Sequence, residues 1–316
     1  MTRRVLILGA GFLGWRIATL LSDRGDEVCI VTRSPRTSSH RRSGIRFEYA
    51  DVGSPDALDD LTDLVGASAA VVYAVGSLYP AETEHRPWLD LYTSLPPFLA
   101  TLEALMRAPG ARVVFLSSGG TVYGDQGSLP LSEETPRAPS SSYGITKLAA
   151  ELYLADHTRR FGTESTALRV ANAYGPGQRT ERGQGAVGAF LEAAMTGQTV
   201  PLYGEGTPVR DYVHVDDVAL AVALLLEASA MPRALNVGTG IGTSLRDLLS
   251  AVEQVTGRVV AVHALPGRDI DLPVNILDSS RATDLLGWVP RGLHQGLRET
   301  WQDMMSGPSG QRETRA

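Results

Sequence analysis

Short apolar runs alternate with stretches of helical spacing through the first half of the chain. Residues 5–8, 28–31, 46–49, 69–75 and 113–116 are brief blocks rich in β-branched, leucine and aromatic side chains and read as strands. Between them, residues 15–24, 57–64 and 89–107 place apolar side chains three and four apart, the period of a helix with one buried face. Strands alternating with helices predict an α/β fold of Rossmann type: a doubly wound parallel sheet with right-handed crossovers and ligands at the carboxyl ends of its strands. A helix opening near Tyr143 is followed by a strand at 165–170. Beyond it the chain is richer in turns, with helices at 186–196 and 218–228 and a short strand at 234–237.

This pattern divides the chain unequally. Residues 1–171, together with about 213–240, are expected to form the sheet domain, and 172–212 with 241–305 a smaller C-terminal substrate-binding subdomain. The polar residues 306–316 are expected to be a disordered tail. Among 316 residues the net charge is -6, which argues against broad binding to nucleic acid or anionic membranes. Arg3 and Arg4 ahead of an apolar run imitate a signal peptide, but Arg16 closes the run and no small-residue cleavage pattern follows. No apolar stretch is long enough to span a bilayer. The single cysteine, Cys29, cannot form an internal disulfide and suits a reducing cytoplasm. Six histidines without ligand spacing give no reason to expect a metal.

The first chemical motif lies between the first strand and the first helix. Gly9, Gly11 and Gly14 form GxGxxG, with Phe12 and Leu13 opening the helix. In that context the glycines allow a tight turn and close approach of a pyrophosphate to uncapped helix amides. The end of the second strand distinguishes the dinucleotides, because an acid there binds a ribose 2′-hydroxyl and repels a 2′-phosphate. The chain instead reads Thr32, Arg33, Ser34, Pro35, Arg36, which favours NADP(H), with NAD(H) as the alternative. Asp51 and Val52, after the third strand, are placed to meet the adenine.

The second motif is Tyr143 followed four residues later by Lys147. One helical turn sets both on a single face, where an ammonium can lower a phenol's pKa toward the range of an acid/base catalyst. With GAGFLG at 9–14, the ordered matches SSGGTVYG at 117–124, PSSSYGITK at 139–147, NAYGPGQ at 172–178, RDYVHVDDVA at 210–219 and NVGTG at 236–240 carry a resemblance. The chain resembles the extended short-chain dehydrogenases/reductases of the nucleotide-sugar epimerase/dehydratase/reductase type, from about residue 4 to 301.

The resemblance implies that Tyr143 exchanges a proton with a sugar oxygen while Lys147 holds the nicotinamide ribose and lowers the phenol's pKa. It also implies cofactor contacts from Ala74, Val75 and Ser117, and a substrate site that includes Gly119, Gly120, Asn172, Arg179, Arg210 and Arg268. Two arginines converging on a diphosphate suit guanidinium geometry. The family's third catalytic group, a serine or threonine, falls on Gly119 here. Thr121 or Ser118 could supply the hydroxyl; strand alternation favours Thr121 if the strand stays regular. The asparagine usual in the preceding helix is Ser94. Residues 77–92, with Tyr79, His85 and Trp88, are candidates for the sugar pocket.

The expected function is an NADP(H)-dependent oxidoreductase of a nucleotide-linked keto-deoxysugar, a 4-ketoreductase with Tyr143 as proton donor. The alternative is an NAD-dependent nucleotide-sugar 4-epimerase, and a remote one is a non-catalytic dinucleotide sensor. A homodimer is implied by resemblance.

Overall fold

Val5 and Ile7 turn to one side of the first strand and Leu6 and Leu8 to the other, and all four are at most 1% exposed. A strand buried on both sides belongs inside a sheet that carries helices on each face. The computed structural model describes residues 2–33, 44–76, 86–126, 128–178, 185–267 and 272–306. Its strands are β1 (Arg4–Leu8), β2 (Glu27–Thr32), β3 (Ile45–Tyr49), β4 (Ala70–Tyr73), β5 (Arg112–Ser118), β6 (Ser165–Val170), β7 (Asn172–Tyr174), β8 (Val200–Tyr203), β9 (Val209–His214), β10 (Ala234–Val237), β11 (Gly242–Ser244), β12 (Val262–Leu265) and β13 (Val274–Asn275). Its α-helices are α1 (Phe12–Asp23), α2 (Leu58–Gly66), α3 (Pro87–Arg107), α4 (Ser142–Phe161), α5 (Ala186–Thr196), α6 (Val215–Glu227), α7 (Leu245–Thr256), α8 (Ser280–Leu286) and α9 (Leu293–Ser306).

Seven strands form one parallel sheet in the order β10-β6-β5-β4-β1-β2-β3. From β1 the chain steps one way to β2 and β3 and the other way to β4, β5 and β6. The reversal opens a crevice at the carboxyl ends of β1 and β4, where a doubly wound sheet takes its ligand. On one face α1 and α6 pack against each other, and Ile17, Leu21, Val218, Val222 and Leu225 join Val5, Ile7 and Val114 in one core. On the other face α2, α3 and α4 bring Leu61, Phe98, Leu102 and Leu154 onto Leu6, Leu8, Tyr73 and Phe115.

A third cluster lies under the second half, where Phe190, Leu191, Leu202, Tyr212, Leu248, Val252 and Leu297 pack together. There β9 pairs with β7, β11 and β13, and β8 pairs with β12. No element is predicted from the sequence in residues 241–305, yet α7 carries Leu245, Leu248, Leu249, Val252 and Val255 at helical spacing. That signal was legible. The two- to four-residue strands around it were not, because so few positions establish no period. Two boundaries also moved for physical reasons. β5 runs on through the polar Ser117 and Ser118 to the crevice, and α6 starts at Val215, with Asp216 and Asp217 in the first turn, where the helix dipole favours acids.

Candidate active site

The turn after β1 is built for close approach. Gly9 adopts a φ of 103°, and its amide donates to the Val31 carbonyl at 2.9 Å. A Cβ at Gly9 would lie 2.7 Å from the Ala74 carbonyl oxygen, and one at Gly14 would collide with the Gly9 carbonyl. Gly11 differs: it caps α1, and among the described residues no side chain bonds to the helix amides there and a Cβ would meet nothing within 4 Å. The crevice therefore presents an uncapped helix N-terminus beside open space, and a dinucleotide pyrophosphate fits that cradle. Phe12 and Leu13 are half-buried at the head of α1, and Ala74 and Val75 are half-buried across the crevice.

Around the expected adenosine end, Thr32 closes β2 half-buried and Arg33 is exposed. Asp51 is exposed, its carboxylate accepting from the Gly53 amide at 3.1 Å, while Val52 is buried. Ser34 and Arg36 lie outside the described residues.

The first turn of α4 is pinned. Ser141 Oγ accepts the Gly144 amide at 3.2 Å, and a Cβ at Gly144 would lie 2.7 Å from the Thr121 carbonyl oxygen. The first turn of α4, which carries Tyr143, is thereby packed against the Thr121 backbone. Lys147 Nζ sits 5.7 Å from the centroid of the Tyr143 ring and 5.0 Å from that of Phe115, and donates to the Leu116 carbonyl at 3.0 Å. Desolvation pushes its ammonium down to about 8, opposed by the negative charges of Asp90 and Glu151. Lys147 is also the only lysine among the 29 basic residues of the chain. This compositional signal could have singled it out with no motif at all.

Past Ser118 the strand ends. The amides of Thr121 and Val122 both return to the Ser118 carbonyl, at 3.3 and 3.1 Å, so residues 119–121 form a turn and strand alternation no longer orders them. Strand alternation therefore does not select Thr121 over Ser118. Any side chain at Gly119 would run into Leu277, and its carbonyl accepts from buried Asn275 at 3.2 Å. Ser117 is committed elsewhere, donating to Glu151 at 2.6 Å within a buried network of Glu151, Arg169, Tyr123 and Asn236. Ser118 is half-buried, and the Thr121 hydroxyl is buried with no hydrogen-bond partner among the described residues. A turn pressed against the first turn of α4 thus carries an unsatisfied hydroxyl.

On the substrate side, Asn172 of β7 donates to the Asp211 carbonyl at 3.2 Å, and Arg210 of β9 donates to the Leu272 carbonyl at 2.6 Å. Asp211 is buried and accepts from Thr239, Gly240 and Leu277; burial pushes its carboxyl up. It ties β9 to the turn after β10. Arg179, Arg268, Tyr79 and His85 lie outside the described residues. Trp88 and Tyr92 are exposed on α3, their ring centroids 6.1 Å apart.

Among the described residues, His214, Asp216 and Glu299 bring potential ligand atoms within 4.8 Å of one another. Arg16 pairs with Asp216 and Arg291 with Glu299 and Asp217, so the cluster reads as a neutralised ion-pair network tying α1 to α6 and α9. Asp90, Glu151, Asn275 and Leu277 are the neighbours of the site that motif matching did not find. Only Glu151, one turn after Lys147, carried a spacing signal.

Comparison with known proteins gives the geometry a context. A family model described as NAD dependent epimerase/dehydratase family matches residues 5–238. UDP-glucose 4-epimerase of Mycolicibacterium smegmatis is 32% identical over 305 residues, covering 94% of this chain and 97% of that protein. The structure of UDP-glucose 4-epimerase from Thermotoga maritima with UDP-glucose superimposes with a TM-score of 0.89 at 29% identity, covering 99% of this chain and 100% of that one. That of the Thermus thermophilus UDP-glucose 4-epimerase complex with NAD gives 0.87 at 30% identity, covering 96% and 99%.

Proposed function

Because the chain belongs to the NAD dependent epimerase/dehydratase family, we propose that it is a 4-epimerase of a nucleotide-diphosphate sugar, working with a retained NAD. The observation that carries the reading is Tyr143 and Lys147 on one turn of α4, pinned against Thr121 at the crevice that the glycine turn opens. The full-length similarity to UDP-glucose 4-epimerases supports epimerisation over the reductase that the basic end of β2 suggests.

Gly9, Gly11 and Gly14 with the α1 amides would hold the pyrophosphate, and Lys147 the nicotinamide ribose. When bound, NAD supplies a ring that takes hydride from the sugar carbon and can return it to the opposite face. Tyr143, as phenolate, takes the proton of the sugar hydroxyl and later gives it back, so the turnover consumes neither proton nor cofactor. The Lys147 ammonium stabilises that phenolate, and Thr121 or Ser118 holds the sugar oxygen. Asn172 and Arg210 are the described candidates for the diphosphate side. Exposed Trp88, Leu91 and Tyr92 on α3 and Ile145 and Tyr153 on α4 give the homodimer its surface. No helix among the described residues is long and apolar enough to cross a membrane, and a reducing cytoplasm is the proposed place of work.

The second reading, an NADPH-dependent 4-ketoreductase, draws on Thr32 and Arg33 standing where an acid would select NAD. Two measurements separate the readings: identification of the nucleotide released from denatured protein, and incubation with sugar nucleotides. Released NAD with UDP-glucose and UDP-galactose interconverting at no net cofactor loss supports the epimerase. Stoichiometric NADPH oxidation with a dTDP-4-keto-6-deoxyhexose, and no interconversion, replaces it with the reductase. In either case Tyr143→Phe is expected to lower kcat by about 10²–10⁴-fold while cofactor binding persists.

A further inference from the structure

One buried carboxylate has no task in this chemistry. Asp90, in the first turn of α3, is 0% exposed. Ser94 donates to its Oδ1 at 3.2 Å, and Ser142 to its Oδ2 at 3.4 Å. Ser142 is the residue before Tyr143, and its hydroxyl also lies 3.5 Å from the Pro87 carbonyl. Ser94 is the residue that the family resemblance sets against an asparagine, and its carbonyl accepts from Tyr73 at 3.5 Å. The carboxylate therefore joins the start of α3 to the turn that presents the catalytic tyrosine.

Burying a carboxylate beside two hydroxyls alone is costly, and such a group normally has a cation to face. Among the described residues no arginine or lysine forms an ion pair with Asp90 within 4 Å, and the ammonium on which its charge acts is Lys147. The groups around Lys147 are few. Tyr143 stands beside it on α4 and Glu151 one turn further along that helix, while the buried Asp90 of α3 is bonded to Ser142 at the start of the same helix. β5 supplies the Leu116 carbonyl and Phe115 ring, neither of which titrates. Glu151 is already neutralised by Arg169, with contacts at 2.7 and 3.1 Å. Asp90 is the uncommitted charge of the pair.

We propose that Asp90 is a positioning residue for the Tyr143–Lys147 pair, holding Lys147 in its ammonium form and, through Ser142, the turn that carries Tyr143. The inference rests on Tyr143 and Lys147 being the catalytic pair. It assigns a carboxylate to support an ammonium that lies in a desolvated position and must stay charged to favour the phenolate.

Because Lys147 is the only lysine, protein grown with ε-carbon-labelled lysine gives one NMR resonance that titrates with it. The expected wild-type midpoint is about 8. Asp90→Asn, which keeps the shape of the side chain, should move it about one unit lower. The alkaline limb of kcat should move with it, and KM should change little. Ser142→Ala should leave the midpoint in place and lower kcat a few-fold. An unmoved midpoint in Asp90→Asn overturns the proposal. If that variant does not fold, Asp90→Ser is titrated instead under the same criterion. Tyr143→Phe run alongside separates the two ideas: full turnover in it sinks the catalytic pair, whereas a dead Tyr143→Phe with an unmoved Lys147 sinks only the role of Asp90.

Discussion

His214 shows how one buried side chain ties stability to pH. Its ring is enclosed by Tyr174, Gly175 and Gly296, its Nδ1 accepts the Asp216 amide at 3.3 Å, and its Nε2 has no partner among the described residues. Desolvation pushes its pKa down to about 4, with Arg291 adding to the effect. The folded protein thus keeps the ring neutral while the unfolded chain protonates it below its ordinary value of 6.5. The unfolded state binds more protons across that window, so stability is lost as pH falls from 6.5 to 4, by about 3 kcal/mol in all. Asp216, which Arg16 holds below the usual carboxylate range although burial opposes it, extends the loss to lower pH. Urea denaturation at successive pH values should show this slope, and His214→Gln should flatten its upper part. A variant with the full wild-type slope would assign it to other groups. Tyr143 and Lys147 were legible from their spacing, because four residues in a helix is a local relation. Asp90 and Leu277 were not, since their meaning depends on residues 52 and 158 positions away.

At the scale of elements, the β1–α1 turn separates two kinds of glycine. Gly14 has no room for a Cβ against the Gly9 carbonyl, whereas Gly11 faces open space. Gly14→Ala should destabilise the fold by about 1–3 kcal/mol through overpacking, with Tm and cofactor affinity falling together. Gly11→Ala should keep the wild-type Tm without cofactor and bind NAD at least tenfold more weakly. A Gly11→Ala protein of normal affinity would remove the pyrophosphate from this turn. The GxGxxG spacing and its place after a strand announced this element from the sequence. The end of β5 behaved otherwise: its polar residues gave no sign of where the strand stops, and the turn at 119–121 is set by backbone hydrogen bonds to Ser118.

For the whole molecule, the parallel order of the sheet follows from alternating strand and helix patterns, and the two buried faces of β1 place it centrally. α3 and α4 lie side by side and leave Trp88, Leu91, Tyr92, Ile145, Leu152 and Tyr153 exposed. The proposed homodimer predicts that the parent sediments as a dimer and a Tyr92→Glu, Tyr153→Glu protein as a monomer. A parent that is monomeric at micromolar concentration would reject that assembly.

Periodicity, glycine spacing and the Tyr143–Lys147 turn were written along the chain because each depends on neighbours within about one helical turn or one pleat. Packing chose the rest: that Leu277 fills the space at Gly119, that Thr121 is left with an unsatisfied hydroxyl against the first turn of α4, and that the buried Asp90 comes to accept from Ser142 beside Tyr143. These relations join segments far apart in the chain, and side-chain volume and charge can act between them only after the sheet has brought them together.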